Sequence, residues 1–178
     1  MRFALSLVLA TLLPCAAFAV GDEEPTPPVP TETTAECAEG TIWDEATKAC
    51  VAPTEESLND DTRYKAVREL AYAGRAEEAL AVLDTMAEGD TDRVLTYKGF
   101  ASRKAGRVAE GMAFYAKALD QNPDNILARS YMGQALAGMG KTAEARVQVT
   151  EIRQRGGAGT WALQALETAI ATGKGYSY

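Results

Sequence analysis

GRVAEGM at residues 106–112 occurs twice more in related form, as GRAEEAL at residues 74–80 and as GKTAEAR at residues 140–146. Each copy begins with glycine and a basic residue, and it carries glutamate four residues and a small residue five residues after the glycine. Glycine adopts the left-handed conformation that ends many helices. Glutamate is favourable in the first turn of a helix, close to its positive end. The pattern therefore predicts a helix–turn–helix unit that is repeated three times.

The residues on either side of these copies follow a helical period. Leu80, Leu83 and Met86 are spaced three residues apart, as residues on one helix face are. The chain has 178 residues, 47% of them hydrophobic and only 7% aromatic, and paired helices at a period of about 34 residues are typical of a stacked helical array. We therefore predict an all-α fold. The expected helices lie at residues 60–73, 76–87, 92–104, 108–120, 125–139, 142–154 and 159–171.

The repeated unit resembles the tetratricopeptide repeat family. The middle copy, counted from Asp92, has large, small, aromatic, small and proline residues where the family has them, at Leu95, Gly99, Tyr115, Ala118 and Pro123. The third copy agrees at Gly133, Gly140 and Ala145, and the first copy is weaker, with Val67 near the usual glycine position. The resemblance covers residues 60–155 and implies a right-handed α-solenoid of about three repeats. A capping helix within residues 156–171 and a tail at residues 172–178 are expected to complete the array.

The resemblance also implies a role, because in that family the first helices of the pairs line a concave groove that accepts a protein or peptide. It predicts a non-enzymatic scaffold with a protein partner. A mixture of arginine and aromatic residues is common in protein interfaces. The lysine-and-asparagine arrangement with which some family members bind C-terminal carboxylates is not found. The candidate groove residues are Tyr64, Arg68, Arg93, Tyr97, Phe100, Arg103, Tyr131 and Gln134.

The first nineteen residues are typical of a secretory signal peptide. Arg2 precedes an apolar run over residues 3–13, and Ala17-Phe18-Ala19 is a small-x-small cleavage site. Cleavage between Ala19 and Val20 predicts a periplasmic or secreted protein that is not inserted in the membrane. A lipoprotein anchored at Cys15 is the disfavoured alternative, because a proline directly precedes this cysteine.

Export bears on the two remaining cysteines, Cys37 and Cys50. An even pair in an oxidising compartment favours a disulfide. The residues between them suggest a small β-hairpin over residues 37–50. The twelve intervening residues argue against the Cys-x-x-Cys spacing of a catalytic redox pair.

The hairpin lies within a proline- and threonine-rich arm at residues 20–59. Residues 20–61 contain twelve acidic residues and a single lysine, whereas the rest of the mature chain is mildly basic. This composition predicts a disordered, solvated arm. The opposite charges suggest a loose, salt-sensitive contact between the arm and the groove, or else an arm that is only a spacer.

Several function classes are disfavoured by composition. The sequence contains no histidine, which removes Ser-His-Asp catalysis, Cys-His catalysis and histidine metal sites. A formal net charge of −7 argues against nucleic-acid binding, which requires a basic surface. We expect no catalytic residues, metal or cofactor. The alternative function is a cell-wall glycan-binding module that acts through the Trp43 hairpin, with the repeats as a display scaffold.

Overall fold

The computed structural model describes residues 26–174, so the predicted cleavage site at Ala19 and Val20 and the end of the tail lie outside the described residues. A short helix and a two-stranded hairpin precede seven longer helices. The bounds in chain order are α1 Glu32–Ala35, β1 Ile42–Asp44, β2 Ala49–Val51, α2 Asp60–Tyr72, α3 Ala76–Leu83, α4 Asp92–Lys104, α5 Val108–Gln121, α6 Ile126–Gly138, α7 Thr142–Gln154 and α8 Trp161–Thr172.

The all-α prediction is confirmed, and α2–α3, α4–α5 and α6–α7 form the three predicted helix pairs. The turn within each pair is the same. Its glycine has a positive φ, which is 82° at Gly74, 86° at Gly106 and 77° at Gly140. The next residue in each turn donates its backbone N–H to a carbonyl five residues earlier, at 2.8–2.9 Å. This is the left-handed helix ending expected from the repeated sequence.

The small residues of the repeat allow the paired helices to pack closely. A Cβ atom on Gly99 would lie 2.6 Å from the Tyr115 ring, and one on Gly111 would lie 2.6 Å from the Gly99 carbonyl oxygen. Ala79 and Ala145, at the position equivalent to Gly111, are 0% exposed. Helix α8 packs against α6 and α7, where Leu166 is fully buried and faces Gly133. The observed α3 ends at Leu83, earlier than predicted, in a turn where the Met86 N–H bonds to the Leu83 carbonyl.

The hairpin and its disulfide are present as predicted. Strands β1 and β2 pair antiparallel with Trp43 opposite Cys50, and Cys37 is bonded to Cys50. However, Ile42 of β1 is 0% exposed and belongs to the main hydrophobic core. The hairpin is therefore part of the same core as the repeats.

Outside the hairpin, the prediction of a disordered arm is wrong for residues 26–36 and 51–59, which pack against the repeats. The buried carboxylate of Glu69 on α2 accepts the backbone N–H groups of Thr31 at 2.7 Å and of Thr34 at 3.0 Å, as well as both threonine hydroxyls. Arg68 adds a hydrogen bond to the Thr26 carbonyl at 2.9 Å. The arm's threonines and backbone amides thus bind α2, although composition alone predicted a solvated segment.

Residues 26–174 show neither a membrane-spanning helix nor a metal-binding cluster. Within residues 26–174, no helix has the length and apolar character to cross a bilayer. The same residues contain no cluster of acidic or cysteine side chains suited to hold a metal ion.

Candidate functional site

The predicted groove residues lie on the first helices of the three pairs. Tyr64 and Arg68 are on α2, four residues are on α4, and Tyr131 and Gln134 are on α6. We call this surface the inner face, comprising the eight predicted residues together with Lys104. The structure joins α2 to α4 and α4 to α6 through direct contacts. The three repeats therefore contribute to one continuous face.

Aromatic rings fill the centre of the inner face. The Phe100 centroid lies 5.0 Å from that of Tyr72, with the two rings nearly parallel, and 4.5 Å from that of Tyr131. The Tyr97 ring meets Tyr64 edge-on at 5.4 Å. Such pairs stabilise a core by about 0.5–1.5 kcal/mol each beyond the area that they bury. Tyr72 was not among the predicted residues, because its place at the last position of α2 gives no signal in the sequence on its own.

Hydroxyl groups connect the same rings. The Tyr131 hydroxyl lies 2.7 Å from the Tyr72 hydroxyl and 3.2 Å from the Tyr97 hydroxyl. Arg68 donates from Nε to the Tyr97 hydroxyl at 3.3 Å. Burial raises the pKa of Tyr131 well above its ordinary value, and the neighbouring tyrosines add to the rise. The inner face is therefore held by hydrogen bonds between repeats as well as by ring packing.

Five of the eight predicted groove residues are buried, so they do not line an open groove. Tyr97 and Tyr131 are 0% exposed, and Phe100 and Gln134 are 1% exposed. They belong to the interior because the first helices pack closely enough for rings from different repeats to touch. Gln134 donates to the Ser130 hydroxyl, which in turn donates to the Ala162 carbonyl of α8, so it positions the capping helix. Arg68 is also buried, at 5% exposure.

Arg93 is a half-buried residue near the α2 end of the inner face. Its guanidinium lies 4.8 Å from the Tyr64 ring centroid and pairs with the carboxylates of Glu88 and Asp61, both at 2.9 Å. Burial opposes the charged form, but the two carboxylates outweigh it and raise the pKa of Arg93 above its ordinary value. The carboxylates that pair with Arg93 therefore come from this chain itself.

Arg103 and Lys104 form the other half-buried part of the inner face. Both lie over Phe100, with the guanidinium carbon 5.2 Å and the lysine Nζ 5.6 Å from the ring centroid. Burial lowers the pKa of Lys104, and the Arg103 charge lowers it further. Lys104 was not among the predicted residues, although its position four residues after Phe100 places it on the same helix face.

Trp43 borders a second concave feature, a crevice of about 420 Å³ between the hairpin, the segment before it and α2. Pro27, Pro28 and Trp43 supply apolar surface, and Lys65 and Glu69 supply charge. The Trp43 indole Nε1 is buried and interacts with the Glu45 carboxylate, whose pKa it helps to lower. We call this space the Trp43 crevice.

Comparison with known proteins bears on the repeats. Residues 102–165 match the model of a family described as tetratricopeptide repeat. The matched segment runs from the end of α4 through α5, α6 and α7 into α8. No curated protein and no solved structure matches the chain. The predicted tetratricopeptide repeat resemblance is therefore supported for residues 102–165.

Proposed function

We propose that this chain, which carries tetratricopeptide repeats, is a non-enzymatic scaffold that binds a protein partner on the inner face. Tetratricopeptide repeats generally mediate protein–protein interactions. One observation carries the proposal: α2 and α4 contribute half-buried aromatic and cationic side chains to one continuous face, and α6 supports this face through the buried Tyr131. Tyr64, Arg93, Arg103 and Lys104 are its half-buried members and are the ones that a partner would contact first.

The rigid centre of this face supports a binding role. Rings that already pack against one another lose little conformational freedom when a partner binds, which favours affinity. Half-buried tyrosine and arginine around a packed centre are the residue types that dominate protein interfaces. The buried residues Tyr97, Phe100 and Tyr131 are proposed to support this surface and not to contact the partner.

Photo-crosslinking tests the proposed face. A photoreactive phenylalanine derivative replaces Tyr64 on the inner face or, in the control, Phe114 on α5. Both natural residues are aromatic and half-buried, so the two replacements are matched in size and environment. Each variant is expressed in its native cells, irradiated and isolated. A discrete adduct at position 64 that is missing at position 114 is expected. Adducts only at position 114, or at neither position, would reject the inner face.

We also propose that the protein acts in the periplasm after removal of residues 1–19. The sequence of the leader supports this, together with a disulfide between Cys37 and Cys50. Intact mass measurement of protein purified from the periplasm tests the proposal. The expected chain begins at Val20 and carries no lipid. An acylated N-terminal Cys15 would instead assign a lipoprotein.

Glycan binding at the Trp43 crevice is a second candidate function. A tryptophan beside threonine hydroxyls and charged side chains suits a sugar, which presents both apolar faces and hydroxyl groups. The test uses a Trp161→Phe variant, which leaves Trp43 as the single tryptophan. A saturable change in its fluorescence on adding an N-acetylglucosamine tetrasaccharide would support the candidate. No change at millimolar saccharide would reject it.

A further inference from the structure

The Arg103 guanidinium has no carboxylate partner among the residues that the structure describes. Its Nε and Nη2 atoms are buried and lie beside the Tyr115 hydroxyl, a neutral group that cannot balance the charge. Neither nitrogen makes a hydrogen bond of good geometry in the described range, and neither does the buried Ser102 hydroxyl. Buried polar groups are nearly always satisfied, and each exception calls for a physical explanation. An unpaired buried charge is the most costly exception.

This arginine differs from most others in the chain. Elsewhere in residues 26–174, seven arginines form an ion pair with a carboxylate, namely Arg63, Arg75, Arg93, Arg107, Arg129, Arg153 and Arg155. The net charge of the chain is −7, so carboxylates are abundant. A missing partner at Arg103 is therefore a local feature and does not result from a shortage of acids.

A second cation lies beside the first. Lys104 is over the same Phe100 ring, and the lowered pKa of its ammonium reflects burial first and the Arg103 charge second. No ion pair within residues 26–174 involves Lys104. Two neighbouring cations repel, and the attraction of one aromatic ring offsets only part of that repulsion. An anion between them would relieve both costs.

From this arrangement we propose that Arg103 and Lys104 form an anion site that binds a carboxylate of an acidic partner segment. The inference rests on the proposed function and specifies the chemistry of the partner. A carboxylate has two oxygens, so it can accept one hydrogen bond from Arg103 Nη1, which is not among the buried nitrogens, and one from the Lys104 ammonium. Both side chains are half-buried, so an incoming chain reaches them from solvent. The site belongs to the inner face because Phe100, beneath both cations, contacts Tyr72 of α2 and Tyr131 of α6.

Fluorescence anisotropy with a labelled peptide tests the site. The probe is a decapeptide of alternating Glu and Gly, and the control peptide has Gln in place of Glu. Arg103→Gln and Lys104→Gln are compared with Lys117→Gln. Lys117 is a matched control, because its Nζ lies 5.7 Å from the Phe114 ring on α5, outside the inner face. We expect each inner-face substitution to weaken binding of the Glu peptide about tenfold, and Lys117→Gln to change it less than twofold.

A second measurement does not depend on the stability of the Arg103 variant. Lysines of the wild-type protein are methylated with a ¹³C label, and the pKa of each is followed by NMR. Adding the Glu peptide is expected to raise the pKa of Lys104 and leave that of Lys117 unchanged. Inorganic phosphate is the comparison anion, since it shares the charge but lacks a peptide chain.

Several outcomes would overturn the proposal. Equal binding of the Glu and Gln peptides would show that charge is not recognised. Equal losses for Lys104→Gln and Lys117→Gln would show a diffuse electrostatic effect. A Lys104 pKa that responds to phosphate but not to the Glu peptide would assign a phosphate site. A partner that is crosslinked at position 64 but binds both inner-face variants normally would leave the proposed function standing and remove the anion site.

Discussion

The hydroxyl groups of Tyr72 and Tyr131 lie 2.7 Å apart, although 59 residues separate them in the sequence. Tyr72 ends the first helix of the first repeat, and Tyr131 lies in the first helix of the third repeat. The middle repeat lies between these two tyrosines in the sequence, and its Tyr97 hydroxyl is 3.2 Å from the Tyr131 hydroxyl. In a simple repeat array each unit contacts only its neighbours. Here one buried network joins all three repeats, and we expect them to unfold together.

Reduction of the Cys37–Cys50 disulfide is expected to lower the stability of the whole protein. A 13-residue separation gives about 3 kcal/mol from loop closure, which corresponds to a fall in Tm of roughly 6–12 °C for a chain of this size. Helical content at 20 °C should persist. Thermal unfolding followed by circular dichroism, with and without reductant, measures both the Tm and the helical content. An unchanged Tm would mean that the hairpin does not share the core through Ile42.

The substitution Gly99→Ala is expected to destabilise the middle repeat. Its Cβ would lie 2.6 Å from two atoms of the Tyr115 ring and 3.0 Å from the Gly111 carbonyl oxygen. Overpacking of this kind costs about 1–3 kcal/mol. The control is Gly138→Ala at the end of α6, where no atom lies within 4 Å of the added methyl group. Chemical denaturation should show a lower free energy of unfolding for Gly99→Ala and no decrease for Gly138→Ala. Similar values for both would contradict the close packing of α4 and α5.

The substitution Glu69→Gln is expected to release the segment before the hairpin. Glutamine keeps the volume but places an NH₂ group among the four donors of Thr31 and Thr34, at a cost of about 1–3 kcal/mol. Residues 26–36 should become sensitive to protease while the repeats stay folded. The exposed Glu36→Gln serves as control. Unchanged cleavage in Glu69→Gln would contradict the role assigned to this carboxylate.

The substitution Lys104→Met is expected to raise Tm at pH 7 by about 1–3 °C. Burial and Arg103 lower the pKa of this lysine in the folded state, so protonation favours unfolding. That cost is fully present below the lowered pKa and disappears as pH rises towards the value of the unfolded chain. The gain should therefore shrink as the pH rises through the lowered pKa of Lys104 towards 10.5, the ordinary value for lysine. A lower Tm for the variant at pH 7, with no effect in the exposed Lys117→Met, would contradict this sign.

The sequence predicted the helix pairs well because their signals are local. A glycine that ends one helix and a glutamate that begins the next lie within five residues, and all three copies fold as their pattern indicates. The placement of the predicted groove residues on α2, α4 and α6 followed from the same register. These features depend on the conformation of short segments and not on which distant segments meet.

Burial and long-range pairing were not predictable in this way. Composition indicated a solvated arm, yet Glu69 binds threonines 35 and 38 residues away. Tyr97 and Tyr131 are aromatic, as many interface residues are, and were predicted to line the groove. They are interior residues instead, because their neighbours come from other repeats. The lack of a carboxylate partner for Arg103 in the described residues likewise depends on which side chains the fold brings near it. No local pattern contains that information.

Hydrogen–deuterium exchange tests the central claim, that partners bind the inner face of the repeats. The purified mature protein is measured alone and with the partner that is captured by crosslinking at position 64. Slower exchange is expected in α2, α4 and α6, with α5 and α7 unchanged. Protection confined to the hairpin around Trp43, or to the second helices of the pairs, would contradict the account.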